Sequence, residues 1–135
     1  MRAILLSLLI LAGSAQLSKA DIRLPKLVGD NMVLQRDMPV HIWGWADPGE
    51  KIDITFGGKS YGATADAAGN WKATLKKMKA GGPYRMTLSA GNRIELKNIL
   101  IGDVWVCSGQ SNMEWPLEKA RNPEEEIKNA AYPKI

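Results

Sequence analysis

Ser111 is the residue of this sequence on which hydrolytic chemistry could rest. It lies in Ser108-Gly109-Gln110-Ser111-Asn112-Met113, directly after the apolar run Ile99 to Cys107 (ILIGDVWVC). A near-continuous β-branched run suits a strand buried on both faces, as in a parallel sheet covered by helices. A glycine-containing turn after such a strand sits at the carboxyl edge of an open α/β sheet, where ligands bind and a nucleophilic hydroxyl would be placed. A second role competes. Ser111-Asn112-Met113-Glu114 also fits a capping box, in which Ser and Glu satisfy orphan backbone donors at a helix start. Pro116 weakens that fit, since a proline so early removes a donor and limits the helix to about a turn. The local pattern leaves cap and nucleophile both open. The α/β-hydrolase elbow is excluded, because it needs Gly where Met113 stands.

Other chemistry is sparse. There is one histidine, His41, and one cysteine, Cys107, so a disulfide framework and a Cys/His zinc cluster within the chain are both excluded. His41 falls mid-strand between Val40 and Ile42 and points away from their face, as a solvated or edge histidine does. Trp43, Trp45 and Trp71 could line a sugar-binding surface, Trp43 and Trp45 sharing a face by the period of two. Packing against a second sheet or a neighbouring domain is the plainer reading of all three. Lys72, Lys76, Lys77 and Lys79 read as a solvated face.

The elements that would position these residues are mostly strands. From Asp30 to Lys97 apolar residues recur with period two between turn signals. Val40, Ile42 and Gly44 alternate with His41, Trp43 and Trp45, and Asp47-Pro48-Gly49 then turns the chain. Ile52, Ile54 and Phe56 lead to the turn Gly57-Gly58. Tyr61 to Ala65 is a weaker strand, and Asp66 to Asn70 a loop with Gly69 at its tip. Trp71, Ala73 and Leu75 alternate with Lys72, Thr74 and Lys76. Gly81-Gly82-Pro83 reads as punctuation before Tyr84, Met86 and Leu88. Gly91-Asn92 reads as a tight turn before Ile94 and Leu96. Short amphipathic strands at this spacing indicate an antiparallel sandwich over residues 21–100. The pattern then changes. After the apolar run, Asn122 is a cap candidate, Pro123 fits the first helical position, and Glu124, Glu125 and Glu126 favour the positive end of a helix dipole. Ile127, Ala130 and Ala131 supply one face, Tyr132-Pro133 ends the helix, and Lys134-Ile135 resembles entry into another strand. Residues 101–135 therefore read as the first strand and helix of an incomplete α/β domain.

The chain has 135 residues, 24% charged and 45% hydrophobic, which is ordinary globular composition. Its first twenty residues form a separate segment. Met1-Arg2 is followed by the apolar run Ala3 to Ala12, too short to span a bilayer, and then by Ser18-Lys19-Ala20. This is the pattern of an export signal cleaved after Ala20, with Ala15 as the alternative site. Arg2 and Lys19 account for two of the 18 basic residues and the segment has no acid, so the remainder carries 16 basic against 14 acidic side chains. A balance of +2 gives no case for nucleic acid or an anionic membrane as partner. Export implies a periplasmic or extracellular location.

Gly109-Gln110-Ser111-Asn112-Met113, preceded by Gly102-Asp103-Val104-Trp105-Val106-Cys107-Ser108 and followed by Glu114-Trp115-Pro116-Leu117, closely resembles the first motif block of the sialate O-acetylesterases, carbohydrate esterases of the SGNH hydrolase superfamily. Leu24-Pro25, Asp30-Asn31-Met32-Val33-Leu34-Gln35-Arg36, Pro39-Val40, Trp43-Gly44, Ala67-Ala68-Gly69-Asn70-Trp71 and Gly81-Gly82-Pro83-Tyr84 resemble that family's N-terminal β domain. The resemblance implies a mainly β N-terminal sandwich followed by the opening strand and helix of an SGNH, flavodoxin-like α/β hydrolase domain that is truncated here. It implies Ser111 as nucleophile, with its own backbone N–H as one oxyanion donor, and an O-acetylated sugar as substrate. Gly109, Gln110 and Asn112 would support the loop. The family's other oxyanion donors and its Asp-x-x-His element have no counterpart, and His41 matches no catalytic position, so the chain alone is expected to be inactive. No metal or organic cofactor is required. A non-catalytic carbohydrate-binding module or a structural Ig-like domain are the alternatives.

Overall fold

The structure, a computed structural model, describes residues 21–133. The expected export signal and the expected strand entry at Lys134-Ile135 lie outside the described residues. Two compact units divide the chain, one ending at Val104 and the other running from Trp105.

The first unit is built of strands β1 (Val33–Gln35), β2 (Val40–Trp45), β3 (Lys51–Phe56), β4 (Lys59–Thr64), β5 (Asn70–Leu75), β6 (Gly81–Ser89) and β7 (Arg93–Gly102). Five form one sheet in the order β1-β7-β6-β3-β4, and β2 and β5 form a second, antiparallel pair. Within the larger sheet only β1 runs parallel to its neighbour, Leu34 lying opposite Ile101. The period of two does what it should. In β3, Ile52, Ile54 and Phe56 are buried while Lys51, Asp53 and Thr55 are exposed, and in β5 Trp71, Ala73 and Leu75 are buried against Asn70, Lys72 and Thr74. Both sheets contribute their apolar faces to one core, in which Ile42, Phe56, Leu75, Met86, Leu88 and Ile99 are almost wholly enclosed. Each such side chain contributes roughly 1.5–3 kcal/mol by leaving water. Phe56 meets Tyr84 edge to face, ring centroids 5.8 Å apart.

The loops are fixed by specific acceptors. Asp66 Oδ1 accepts the N–H groups of Ala68 (2.8 Å) and Asn70 (2.9 Å), and Gly69 sits between them at φ +81°. A Cβ at Gly69 would lie 2.6 Å from the Ala46 carbonyl oxygen, so only glycine closes this turn.

Two expectations need correction, and one choice left open is decided. Gly81-Gly82-Pro83 is not a turn between strands but the start of β6, where register shifts let an irregular stretch pair with β7. Trp71 is 3% exposed and belongs to the core, which is the plainer of its two readings. The apolar run Ile99 to Cys107 does not form one strand. Ile99–Gly102 completes β7, paired with β1 and β6, whereas residues 103–109 adopt no regular structure. A strand exists only as part of a hydrogen-bonded ladder, and among the described residues no segment pairs with 104–107.

Candidate active-site segment

The sequence blocks Asp30–Arg36 and Gly102–Val104, far apart in the chain, are bound to each other. The Lys97 N–H donates to Asp30 Oδ1 (2.7 Å) and the Leu100 N–H to the Met32 carbonyl (3.1 Å). Further along, the Arg36 N–H donates to the Gly102 carbonyl (2.9 Å), Arg36 Nε to Asp103 Oδ1 (2.8 Å), and the Val104 N–H to Gln35 Oε1 (2.9 Å). Arg36 also approaches Asp37 at 3.5 Å, and Asp37 receives Lys79 at 2.8 Å. The hydrogen bond from Arg36 holds the Asp103 carboxyl below the usual aspartate range and raises the guanidinium's own pKa. Three bonds in series therefore fix the backbone from Gly102 to Val104, the last residues of the first unit. The pairing joins two blocks that sequence reading picked out separately. Their contact was not legible, because no periodicity links Gln35-Arg36 to Asp103.

In the second unit, Ser111–Glu114 forms a 3₁₀ turn whose N-cap residue is Gln110. Ser111 is therefore the first residue of the turn, not its cap, and no side chain caps this turn. The capping-box arrangement is absent for a geometric reason, since a cap must precede the first turn and Ser111 is already within it. The Met113 N–H donates to the Gln110 carbonyl at 2.9 Å. A Cβ at Gly109 would approach Met113 Cγ to 2.9 Å, so glycine lets the loop fold back on Met113. Gly109, Gln110, Ser111 and Asn112 thus stand together at the head of one turn, all exposed. Trp115 follows, its Nε1 donating to the Lys119 carbonyl at 3.1 Å, with Lys119 Nζ 6.0 Å from the ring centroid. This bond spans Pro116 and a second 3₁₀ turn, Leu117–Lys119.

Helix α1 spans Pro123–Asn129. Pro123 and the three glutamates occupy its first turn as expected, but Asn122 holds the cap position in a left-handed conformation (φ 56°, ψ 49°) without a side-chain cap bond. Ala130 and Ala131 fall beyond the helix. Trp105 is 84% exposed and Val106 90%, so this segment keeps an exposed apolar surface.

His41 lies on the outer face of β2, its Nδ1 3.0 Å from Thr74 Oγ1. It is an exposed strand histidine in the first unit. The four lysines of β5 and the following loop are exposed. No group of three or more His, Cys, Asp or Glu side chains that could hold a metal comes together among the described residues.

The comparisons with known proteins agree with the motif blocks. No protein-family model matches the chain. By structure, the chain is related to carbohydrate acetylesterases. It superposes on one from Xanthomonas citri with a TM-score of 0.76 and 41% identity, over 83% of this chain and 26% of that one. By sequence, its curated relatives are the sialate O-acetylesterases. It is 30% identical to the protein of Mus musculus over 95% of its own length, and 32% identical to that of Homo sapiens over 84%. The chain spans about a quarter of the length of these relatives, 26% of the first and 24% of the second.

Proposed function

We propose that this chain carries the nucleophile segment of an exported serine esterase that removes O-acetyl groups from sugars, as a sialate O-acetylesterase does. The observation that carries the proposal is the match to these esterases along nearly the whole chain, together with the exposed placement of Ser111 at the head of a turn where it serves as no cap. Residues 1–20 act as the export signal, and residues 101–135 open an SGNH-type α/β domain. In the reaction a histidine takes the Ser111 proton as Oγ attacks the acetyl carbonyl. Backbone and amide donors, the Ser111 N–H among them, hold the oxyanion. The sugar alcohol leaves protonated, and water then attacks the acetyl-serine to release acetate and restore the hydroxyl. His41, which matches no catalytic position of these esterases, is not assigned that role. The general base and the remaining oxyanion donors come from residues other than those of this chain. Each missing donor is worth roughly 3 kcal/mol of barrier, so the chain alone hydrolyses esters no faster than background.

The test joins this chain to the remaining three quarters of the Xanthomonas citri enzyme. A serine-directed fluorophosphonate probe and an acetyl-ester assay are applied to the folded chimera and to the chain alone. The chimera labels at Ser111 and loses activity on Ser111→Ala, while the chain alone does neither. An active chimera indifferent to Ser111→Ala would overturn the assignment.

A further inference from the structure

We propose that the outer face of the β2–β5 pair is a platform for an acidic saccharide, on which Trp43 and Trp45 stack against sugar rings while Lys72 and Arg23 pair with a carboxylate. Two residues apart on one strand, the tryptophans leave the same side of the sheet about 7 Å apart. They are 40% and 38% exposed. Their neighbours follow from the register: Lys72 lies opposite Trp43, Asn70 opposite Trp45, and Thr74 opposite His41. On the other side of β2, Arg23 bridges to Trp45. The rings are thus ringed by Arg23, His41, Asn70, Lys72 and Thr74, all exposed. These positions hold two full cations, and neither Lys72 nor Arg23 makes an ion pair among the described residues; the carboxylate that reaches the rim is Asp66, both of whose oxygens lie 3.4 Å from the Asn70 side-chain amide.

That arrangement selects its ligand chemically. The negative π face of an indole favours the weakly positive C–H face of a pyranose ring. A cation opposite each tryptophan adds attraction for an anion and repels cationic ligands. Alongside, the hydrogen-bonded His41–Thr74 pair and the Asn70 amide, which rests on Asp66, keep further donor and acceptor sites for sugar hydroxyls. The platform is also rigid. Arg23 and Trp45 exchange both backbone hydrogen bonds, at 2.8 and 2.9 Å. Gly44, between the tryptophans, faces inward, where a Cβ would collide with the Arg23 carbonyl and come within 2.9 Å of the buried Trp71 ring. Little ordering is needed on binding, which lowers its cost. The platform lies wholly in the first unit and does not depend on the role of Ser111.

The experiment titrates the full chain with sialyllactose, with a galacturonic acid tetramer and with neutral lactose, followed by ligand-observed NMR and calorimetry. Both acidic ligands should bind at least tenfold more tightly than lactose. W43A and W45A should each weaken binding about tenfold, with W43F and W45F keeping part of it. K72Q should narrow the preference over lactose, and added salt should weaken acidic ligands only. Circular dichroism melts establish that each variant is folded. Absence of binding by both acidic ligands, equal binding of lactose, or unchanged affinity in folded W43A would overturn the proposal. So would self-association of the chain that W43A abolishes, which would make the face a protein interface.

Discussion

The Arg36 guanidinium donates to the Asp103 carboxylate at 2.8 Å across 67 residues of sequence, and the adjacent Gln35 side chain accepts the Val104 N–H. The end of β1 thereby grips the chain where it leaves the first unit. Both charged groups are exposed, so solvent screens the pair and its removal changes global stability little. Its effect is local. Arg36→Ala or Asp103→Asn should speed hydrogen exchange at Val104 and at Arg36 while leaving the melting temperature nearly unchanged. Gln35→Ala should speed exchange at Val104 alone. Unchanged protection at Val104 in all three variants would show that the exit is held by other contacts.

Asp66 supports a pH prediction. The backbone N–H of Asn70 is the largest influence lowering its pKa, and those of Ala68 and Gly69 also contribute. A carboxyl whose folded pKa is depressed stabilises fully above its unfolded value and loses that contribution as pH falls through the folded value. With an ordinary aspartate near 3.9, the window lies below about pH 4. Melting temperatures taken from pH 7 to pH 2 should fall less steeply at the acid end for Asp66→Asn than for the wild type. Identical acid limbs would remove Asp66 from the account.

Core packing predicts a large effect at Phe56, 1% exposed and edge-on to Tyr84. Phe56→Ala should cost about 3–5 kcal/mol, a large fraction of the 5–15 kcal/mol that typically holds a domain together. The urea midpoint measures it. A loss under 1 kcal/mol would mean the site collapses without a cavity.

Gly44 and Gly62 form a matched pair. Gly44→Ala drives a methyl into the Arg23 carbonyl and the Trp71 ring, whereas a Cβ at Gly62 meets nothing within 4 Å. Overpacking should cost Gly44→Ala about 1–3 kcal/mol, while Gly62→Ala should be neutral or slightly stabilising. Equal midpoints for the two variants would contradict the close approach at Gly44.

What could be read in advance follows from where burial is one-sided. Ile52, Ile54 and Phe56, and Trp71, Ala73 and Leu75, alternate because each strand has one wet face, and alternation survives in sequence. The inward place of Trp71 was legible in that same pattern, although a tryptophan invites a surface role. Gly81-Gly82-Pro83 misled because its turn chemistry is local while its pairing with β7 is tertiary. The Val104–Cys107 run carries strand propensity without a partner among the described residues. Propensity does not form a strand without a ladder.

Ser111 offers the sharpest separation of roles. An N-cap serine accepts a backbone N–H, and its replacement by alanine costs typically about 1 kcal/mol. Ser111 instead occupies the first position inside its 3₁₀ turn, with Gln110 before it and no side-chain cap bond. Ser111→Ala removes a hydroxyl that bonds nothing in the turn, so it should leave stability within about 0.5 kcal/mol. Exchange at the Met113 and Trp115 amides, which close the turn onto the Gln110 and Asn112 carbonyls, should be unaltered. These local amides matter because a global melt reports chiefly on the strand-built first unit. Gly109→Ala is the counter-test. Its Cβ would press on Met113 Cγ, and exchange at Met113 should quicken even though no reactive group is lost. A hydroxyl held in place by its turn but unused by it is free to act on a substrate. Faster exchange at Met113 in Ser111→Ala would instead mean that the hydroxyl supports the turn.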